Sequence, residues 1–577
     1  MLKGRGRFEG YGKKDVKRDL IAGCIVGIIA IPLGMAFAIA SGVKPETGIY
    51  TTIIAGILIS LLGGSRFQIG GPTGAFIPIL LAIVLQYGYD KLLVAGFLAG
   101  ILLVLMGVLK LGALIAFIPK PVTVGFTAGI AVTIFAGQIG SFLGLGGLER
   151  HESFLLNMKE LAVHIGTWNI YAVIVAGICL VSLLVTPKLL PKVPASLVGL
   201  VLSTLAGVLF LNGKVATIGS AYGRIPAALP SFRLPDLSWD TVTLMIGPAM
   251  VIALLGGIES LLSAVVADGM SGTKHDSNRE LIGQGIANMA APLFGGIPAT
   301  GAIARTATNI KNGAVSPLSG VVHGLVVLLV LVLLAPYASA IPLASMAPIL
   351  MVVAWNMSER RSFAKLLGLR SGDSLVLVVT FLLTVFATLT TAVEAGLALA
   401  VILFVRRMAA EQRLDKVLPD RVNGRGKVAP EQVTADRDCP QLSLFSVRGA
   451  LFFGVRSPFG TPEFAASHDL SRTLLLRMGG VPLIDASGEA SIGGLLKAVR
   501  ASGGTLMLCG LQPQPRRMLE KTGLLGELGE DHVFAHTGEA IDAALKLHID
   551  ADRCIGCQAA AFRECAELCA SGRESAS

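Results

Sequence analysis

Long apolar segments follow one another from residue 20 to residue 408, with polar or Gly/Pro-containing breaks between them. A helix needs about 20 residues to cross roughly 30 Å of hydrocarbon, and most of these segments approach that length. The pattern therefore predicts a polytopic α-helical membrane domain with about fourteen spans. The predicted segments are 20–41, 47–63, 71–87, 91–110, 120–140, 169–190, 195–212, 243–266, 281–296, 301–311, 314–337, 340–357, 372–388 and 390–408.

Two short segments begin with a similar run of residues. Positions 70–76 read GGPTGAF and positions 295–303 read GGIPATGAI, at corresponding places in the two halves of the domain. Short hydrophobic segments interrupted by Gly and Pro in matching halves are typical of transporter binding sites. Because seven spans per half is an odd number, the pattern predicts an inverted 7+7 repeat.

We interpret both segments as half-helices whose N–H groups and positive dipole ends point to one place in mid-membrane. Such an arrangement favours an anion. The alternative is that they are ordinary kinks or glycine packing contacts. The candidate anion-binding groups are the backbone N–H groups of Thr73, Gly74, Ala75, Gly301 and Ala302, with the Thr73 hydroxyl.

The composition changes after residue 408. A polar stretch at 409–440 is followed by short strand-like and helical patterns that alternate, which predicts a small soluble α/β domain. We predict strands at 442–447, 450–455, 474–477, 483–486 and 505–509, and helices at 489–502, 514–522 and 537–547. The predicted domains are a 1–19 N-terminal segment, a 20–408 membrane domain, a 409–440 linker, a 441–549 α/β domain and a 550–577 tail.

Composition and charge narrow the function. The chain is 53% apolar and only 15% charged, with a mean hydropathy of +0.72. The net charge of +10 does not indicate nucleic-acid binding, because the basic residues lie in loops and ends. The basic N-terminal segment and an even number of spans predict a multi-pass protein of the cell membrane with both termini in the cytoplasm. No ATP-binding loop or catalytic triad occurs, so we expect no enzyme.

Glu259 is an acid within the apolar stretch 245–267. An ionisable group at that depth is costly unless it is paired, hydrated or protonated, so Glu259 is a candidate to take up and release a proton. Ser263 lies one helical turn further on, on the same face. We predict both as proton-coupling residues. The alternative for Glu259 is a structural carboxylate bonded to a neighbouring helix.

Arg305 follows Gly301 by four residues and falls one turn along the second half-helix. There its guanidinium would add a fixed positive charge near the anion. The alternative is an arginine that extends to the membrane surface.

The motifs together resemble the SulP family of sulfate permeases and anion exchangers, which includes the relatives of prestin. The C-terminal domain resembles a STAS domain. The resemblance implies a core domain that carries the site, a gate domain, an elevator-like movement and a homodimer. It rests on 63–66 (GGSR) with Gly71, Pro72 and Thr73, on 258–263 (IESLLS) with Asp268, on 274–281 (KHDSNREL) with Gly283, Gln284 and Gly285, and on 302–306 (AIART).

A sodium-coupled bicarbonate subtype of this family has Asp at the position of Glu259 and Thr at the position of Ile303. An apolar Ile303 supplies no oxygen for sodium, so we predict anion:proton symport of sulfate, bicarbonate or a C4-dicarboxylate. The alternatives are an uncoupled anion channel, a sodium-coupled bicarbonate transporter and a sensor that signals through the STAS domain to a cytoplasmic partner.

The C-terminal part contains two further candidate sites. Ser487 matches the phosphorylatable serine of anti-sigma-factor antagonists, and the alternative is an ordinary helix N-cap. In the tail, four thiols lie within sixteen residues, a spacing that matches no common zinc or iron–sulfur motif but leaves either group as a candidate. These thiols belong to Cys554, Cys557, Cys565 and Cys569.

Overall fold

The structure is a computed structural model of the whole chain. It describes residues 11–113, 119–190, 193–227, 231–419, 428–429, 433–453, 472–554, 557–559, 561–562 and 565. The chain forms two compact units, Met1–Ala400 and Val401–Ser577.

The first unit is helical, and each of the fourteen predicted segments coincides with a helix. Seven helices of the described chain are long and apolar enough to cross a membrane. The prediction of a polytopic helical membrane domain is confirmed. The helices are α1 (Lys13–Ala40), α2 (Pro45–Leu62), α3 (Ile77–Tyr87), α4 (Tyr89–Val108), α5 (Lys120–Gly137), α6 (Ile139–Leu143), α7 (Phe154–Val163), α8 (Ile170–Leu189), α9 (Ala195–Phe210), α10 (Ile218–Tyr222), α11 (Trp239–Ser271), α12 (Ser277–Leu293), α13 (Ile303–Lys311), α14 (Leu318–Ala338), α15 (Leu343–Met357), α16 (Arg360–Gly368), α17 (Gly372–Phe386) and α18 (Leu389–Ala410).

Local sequence explains where several helices begin and end. The side chain of Asp276 accepts the N–H groups of Asn278 and Arg279 and so caps α12. Pro45 occupies the first position of α2, where no helical donor is lost. Gly272 ends α11 in a left-handed conformation, with φ of 71°.

The membrane helices pack as two groups. In one, α1 packs against α2 and α14, and α4 packs against α11 and α12. In the other, α5 packs against α15 and α17, and α8 packs against α9 and α15. The half-helices α3 and α13 belong to the first group, through α4 and α11. These groups correspond to the expected core and gate domains.

The second unit contains a five-stranded sheet, in which only the pairing of the first two strands is antiparallel. The strand order is β3 (Arg413–Lys416), β6 (Leu442–Arg448), β7 (Thr473–Gly480), β8 (Thr505–Cys509) and β9 (Val533–Phe534). The sheet begins at Arg413, inside the stretch predicted as a linker. Its elements, with two two-residue strands outside the sheet, are β3 (Arg413–Lys416), β4 (Leu418–Pro419), β5 (Val428–Ala429), β6 (Leu442–Arg448), β7 (Thr473–Gly480), α19 (Ala486–Ala501), β8 (Thr505–Cys509), α20 (Pro513–Lys521), α21 (Leu524–Leu528), β9 (Val533–Phe534) and α22 (Thr537–Leu547).

Alternation along the buried strands builds a core on each face of this sheet. Leu474 and Leu476 of β7 pack with residues of α19, whereas Leu475 packs with residues of α22 on the other face. The strand predicted at 483–486 does not form. Ile484 makes only an isolated bridge to Leu451, because α19 begins at residue 486.

Candidate functional site

The two Gly-rich segments meet inside the first unit. Two-residue strands, β1 (Gly70–Gly71) and β2 (Thr300–Gly301), pair antiparallel, with Gly70 opposite Gly301. Directly after them come a 3-10 turn at Gly74–Phe76 that leads into α3, and the first residue of α13. The start of each half-helix is therefore brought to the same place, as the repeated motif predicts.

Glycine is required where the segments cross, because side chains fill the space that a Cβ would occupy. A Cβ on Gly301 would overlap the amide of Gln68, and one on Gly70 would overlap the side chain of Ile59. Gly71 has φ of 146°, which other residues rarely adopt, and a Cβ there would lie 2.7 Å from Arg305 Nη1. The glycines of the motif thus allow a close crossing.

Glu259 lies beside the start of the first half-helix. The hydroxyl of Thr73 donates a hydrogen bond to Glu259 Oε2 at 3.1 Å, which joins α11 to the residue preceding the turn. Glu259 is half-buried, and its carboxyl group interacts electrostatically with Arg305. An ionisable acid, a hydroxyl and a guanidinium therefore share one location.

Arg305 is buried within the protein, with 4% of its surface exposed. The alternative of an arginine extending to the membrane surface is wrong. Its Nη2 donates to the carbonyl oxygen of Pro72, at the other half-helix. Its Nη1 has no hydrogen-bond partner among the described residues. One nitrogen thus fixes the guanidinium, and the other is a buried donor that lacks an acceptor among the described residues.

Two predicted anion donors are already engaged. The N–H of Gly301 donates to Ser260 Oγ at 3.1 Å, and the N–H of Ala302 donates to the carbonyl oxygen of Ile69 at 2.8 Å. The extended backbone that precedes α13 pairs with its neighbours, which spacing along the chain does not reveal. The candidate anion donors of the second half-helix are therefore the N–H groups of Ile303 and Ala304. The first N–H groups of a helix have no acceptor within the helix. Both residues are exposed.

The first half-helix keeps its backbone N–H donors, whereas the Thr73 hydroxyl is engaged by Glu259, and the gate group covers this half-helix. Thr73, Gly74 and Ala75 are all buried. A Cβ added to Gly74 would lie 2.9 Å from the sulfur of Met357 and 3.5 Å from Ile134 Cδ1. These two residues belong to α15 and α5, so the gate group covers this end of the site.

Ser263, predicted as a proton-coupling residue, forms hydrogen-bond contacts with residues other than Glu259. Its hydroxyl donates to Gln68 Oε1 at 3.1 Å and lies within hydrogen-bond distance of Thr306 Oγ1, at 3.3 Å, and Ser263 is fully buried. The i,i+4 spacing indicates a shared face with Glu259, but Gln68 and Thr306 occupy the space next to Ser263. Ser263 therefore contacts residues of the crossing, and its part in proton coupling stays a prediction.

Several polar residues that hold the site were missed by the sequence analysis. Gln68 Nε2 donates to the carbonyl oxygen of Ser260 at 3.0 Å. Asn288 pairs with both the N–H and the carbonyl of Ala299, at 2.8 and 2.7 Å. Thr51 bonds Ile297 in the same segment. All three are uncharged polar residues, which are common in membrane helices, so the sequence alone does not single them out.

Glu280 links two of the family motifs, 63–66 and 274–281. This fully buried carboxylate accepts the N–H groups of Gly64 and Ser65 at 2.8 and 3.0 Å, and the amide of Gln284 at 2.8 Å. It therefore fixes the turn between α2 and β1, which sets the position of the first half-helix.

In the second unit, Ser487 is exposed in the first turn of α19. The cap is Asp485, whose Oδ1 accepts the N–H groups of Ser487 and Gly488 at 2.9 Å each. The alternative of Ser487 as an N-cap is therefore wrong, and its hydroxyl stands at a helix N-terminus.

Three of the four tail cysteines, Cys554, Cys557 and Cys565, line one small cavity together with Cys439. Cys569 lies outside the described residues. Within the described part of the chain, no three His, Cys, Asp or Glu side chains are placed to hold a metal ion. A zinc or iron–sulfur site that includes Cys569 stays a prediction.

Known proteins resemble the chain over almost its whole length. Residues 16–380 match the Sulfate permease family, and residues 429–540 match the STAS domain. The chain is 55% identical to the putative sulfate transporter YvdB of Bacillus subtilis, over 92% of this chain and 99% of YvdB. It is 29% identical to the bicarbonate transporter BicA of Picosynechococcus sp., over 92% of this chain and 95% of BicA.

The same fold occurs in a solved structure. The overall structure of SLC26A9 superimposes with a TM-score of 0.83 at 20% identity, over 93% of this chain and 91% of that one. At this identity the likeness concerns the fold alone. It covers both the membrane helices and the C-terminal domain.

Proposed function

The chain belongs to the sulfate permease family of anion transporters, which are not enzymes, and from this membership we propose that it is a secondary carrier that moves a small anion together with a proton. The observation that carries the proposal is the hydrogen bond from Thr73 to Glu259 beside Arg305. It joins a group that can bind a proton to the half-helix that can bind the anion.

The charges at the crossing support linked binding of anion and proton. Arg305 contributes one positive charge, and each half-helix N-terminus contributes about half a charge, so the sum is about +2. An ionised Glu259 reduces this sum to about +1 and repels an anion nearby. Protonation of Glu259 therefore favours anion binding, and binding of the anion favours protonation. A carrier with this linkage moves the anion and the proton across the membrane in the same direction.

Sulfate is the anion that we propose. Its two charges match a site of about +2, which is the site with Glu259 protonated. The similarity to YvdB supports the same choice. Bicarbonate and C4-dicarboxylates are the competing substrates, since backbone N–H groups and one guanidinium can bind all three. Competition of each anion against labelled sulfate ranks them.

The contacts at Gly74 support an elevator-like movement. Met357 and Ile134 of the gate group cover the first half-helix, whereas Glu259, Arg305 and both half-helices belong to the core group. If the core slides past the gate, the whole site moves as one body. We further propose a homodimer in the cell membrane, with both termini in the cytoplasm and Ser487 as a regulatory phosphorylation site.

Uptake of labelled sulfate into proteoliposomes tests the proposal. We expect an inward proton gradient to drive accumulation by the native protein and not by Glu259→Gln, which should still exchange sulfate at equal pH. Glu152→Gln, at an exposed position, is the matched control and should behave as the native protein.

Three outcomes would contradict the proposed proton coupling. Unchanged pH-driven uptake by Glu259→Gln would remove Glu259 from the coupling. Uptake driven by a sodium gradient would make the chain a sodium-coupled carrier despite Ile303. Flux that follows the membrane potential alone would make it an anion channel.

A further inference from the structure

The short helix α16 lies between α15 and α17 and has no buried residue. Its sequence, RRSFAKLLG, places Phe363, Leu366 and Leu367 on one side, with Arg361 and Lys365 on the opposite side. An amphipathic helix with cations on its polar face is typical of a segment that lies at a membrane surface.

Sharp turns separate α16 from the spans on both sides. Glu359, just before it, has φ of 41°, and Arg370, just after it, has φ of 46°. Non-glycine residues rarely adopt this left-handed conformation. On its apolar side, the ring of Phe363 packs edge-on against Phe381 of α17, with ring centroids 5.3 Å apart. The helix is thus held against α17, with Phe363 beside Phe381 within that span.

The apolar side of this segment is only partly covered. Leu367 is 45% exposed and Leu369 is 56% exposed. Trp355, in the last turn of α15, is 56% exposed, and the guanidinium of Arg360 lies over its ring at 4.4 Å from the centroid. Tryptophan with a neighbouring cation at a helix end is typical of the interface between hydrocarbon and lipid headgroups.

The charge of the segment is strongly positive. Residues 355–371 contain four cations, Arg360, Arg361, Lys365 and Arg370, and a single acid, Glu359. Across the described chain, none of these cations has a carboxylate partner within 4 Å. A cleft of about 260 Å³, lined by Asn356, Glu359, Arg360, Arg361 and Ser362, opens at the start of the helix.

Topology places this charge on the cytoplasmic side. Helix α15 is the twelfth of the fourteen membrane segments, and an even number of crossings returns the chain to the side of its basic N-terminus. The headgroups that carry negative charge there are those of anionic phospholipids.

We propose that Trp355 and α16 form a binding surface for anionic phospholipid headgroups, with the uncovered leucines in the acyl region and the cations on the phosphates. Since α15 carries Met357, which covers the first half-helix, this surface attaches the gate group to the lipid while the core moves. Lipid binding itself is independent of the proposed transport mechanism.

The test uses the full chain with Trp168→Phe and Trp239→Phe, which leaves Trp355 as the sole tryptophan. We reconstitute it in phosphatidylcholine vesicles that contain an equal small fraction of brominated phosphatidylglycerol or brominated phosphatidylcholine. Quenching of Trp355 should be roughly two- to fivefold stronger with the brominated phosphatidylglycerol, and high salt should reduce this excess.

A charge-matched control is available in the second unit. Removal of the cations of α16, in R360Q/R361Q/K365Q, should make quenching by the two brominated lipids equal. Quenching by brominated phosphatidylcholine should stay unchanged, and this would show that the helix remains inserted. Removal of three cations at the same spacing in α20, in R516Q/R517Q/K521Q, should leave the excess intact.

Two results would overturn the inference. Equal quenching by both lipids in the protein that has Trp355 as its sole tryptophan and keeps the cations of α16 would mean that the segment does not select anionic lipid. Loss of the excess on addition of millimolar inorganic phosphate would mean that the cations form a site for a soluble anion and not a lipid surface.

Discussion

At the residue scale, the ionisable groups of the site are visible in the sequence and their uncharged partners are not. Glu259 and Arg305 stand out because charged side chains are rare within apolar segments. Gln68 and Ser260 do not, because uncharged polar residues are common in membrane helices and this pair is separated by 192 residues. Ser263, Gly301 and Ala302 form hydrogen bonds with such partners, and spacing along the chain does not show these bonds.

The close crossing at Gly301 has a measurable consequence. In Gly301→Ala the added methyl group overlaps the Gln68 amide, so we expect a lower thermal unfolding midpoint and a severe loss of sulfate uptake. Overpacking of this kind costs about 1–3 kcal/mol. Gly177→Ala, where a Cβ meets no atom within 4 Å, should change neither quantity. Shortening the facing side chain, in G301A/Q68A, should recover part of the lost stability. A tolerated single substitution would contradict the observed crossing.

At the element scale, the long apolar runs predict all fourteen membrane segments, because each segment must present apolar residues to lipid or to other helices. The pairing of β1 with β2 is not predictable in this way, since two-residue strands carry no periodicity. The same limit applies to β3, which lies in a stretch whose polar composition resembles a linker.

One contact between distant elements depends on pH. Asp19 of α1 accepts the N–H groups of Val315 and Ser316 just before α14, at 2.7 and 3.2 Å, and the hydroxyl of Tyr11 at 2.8 Å. Burial and the hydrogen bond to Asp19 raise the pKa of Tyr11 to about 12. The usual value is about 10, so the folded state holds the proton more tightly than the unfolded state.

Because the pKa of Tyr11 is raised on folding, the protein should lose stability at high pH. The stability that the neutral Tyr11 contributes is fully present below about pH 10 and is lost as the pH rises through 12. Thermal unfolding midpoints measured from pH 8 to 12 should fall less steeply for Tyr11→Phe than for the native protein. Asp19→Ala should lower stability at every pH, by about 2–3 kcal/mol, whereas Asp90→Ala, at an exposed position, should not. Parallel curves for Tyr11→Phe and the native protein would exclude the linkage.

At the scale of the whole molecule, the chain combines a membrane unit with a STAS domain, and the two have separable roles in the account. The acid, the guanidinium and both half-helices lie in the membrane unit. A protein truncated after Ala410, which removes β3 along with the rest of the sheet, should therefore still bind sulfate and show proton-driven uptake, with a changed rate or yield. Loss of sulfate binding on truncation, measured in detergent, would assign the STAS domain a part in the site.

The proposed symport requires that the anion and the proton move together. Proteoliposomes that contain the native protein and a trapped pH-sensitive dye test it directly, with sulfate added outside at equal pH in the absence of sodium. The account predicts that the interior acidifies as sulfate enters, and that Glu259→Gln abolishes the acidification. Entry of labelled sulfate with no change in internal pH would contradict it.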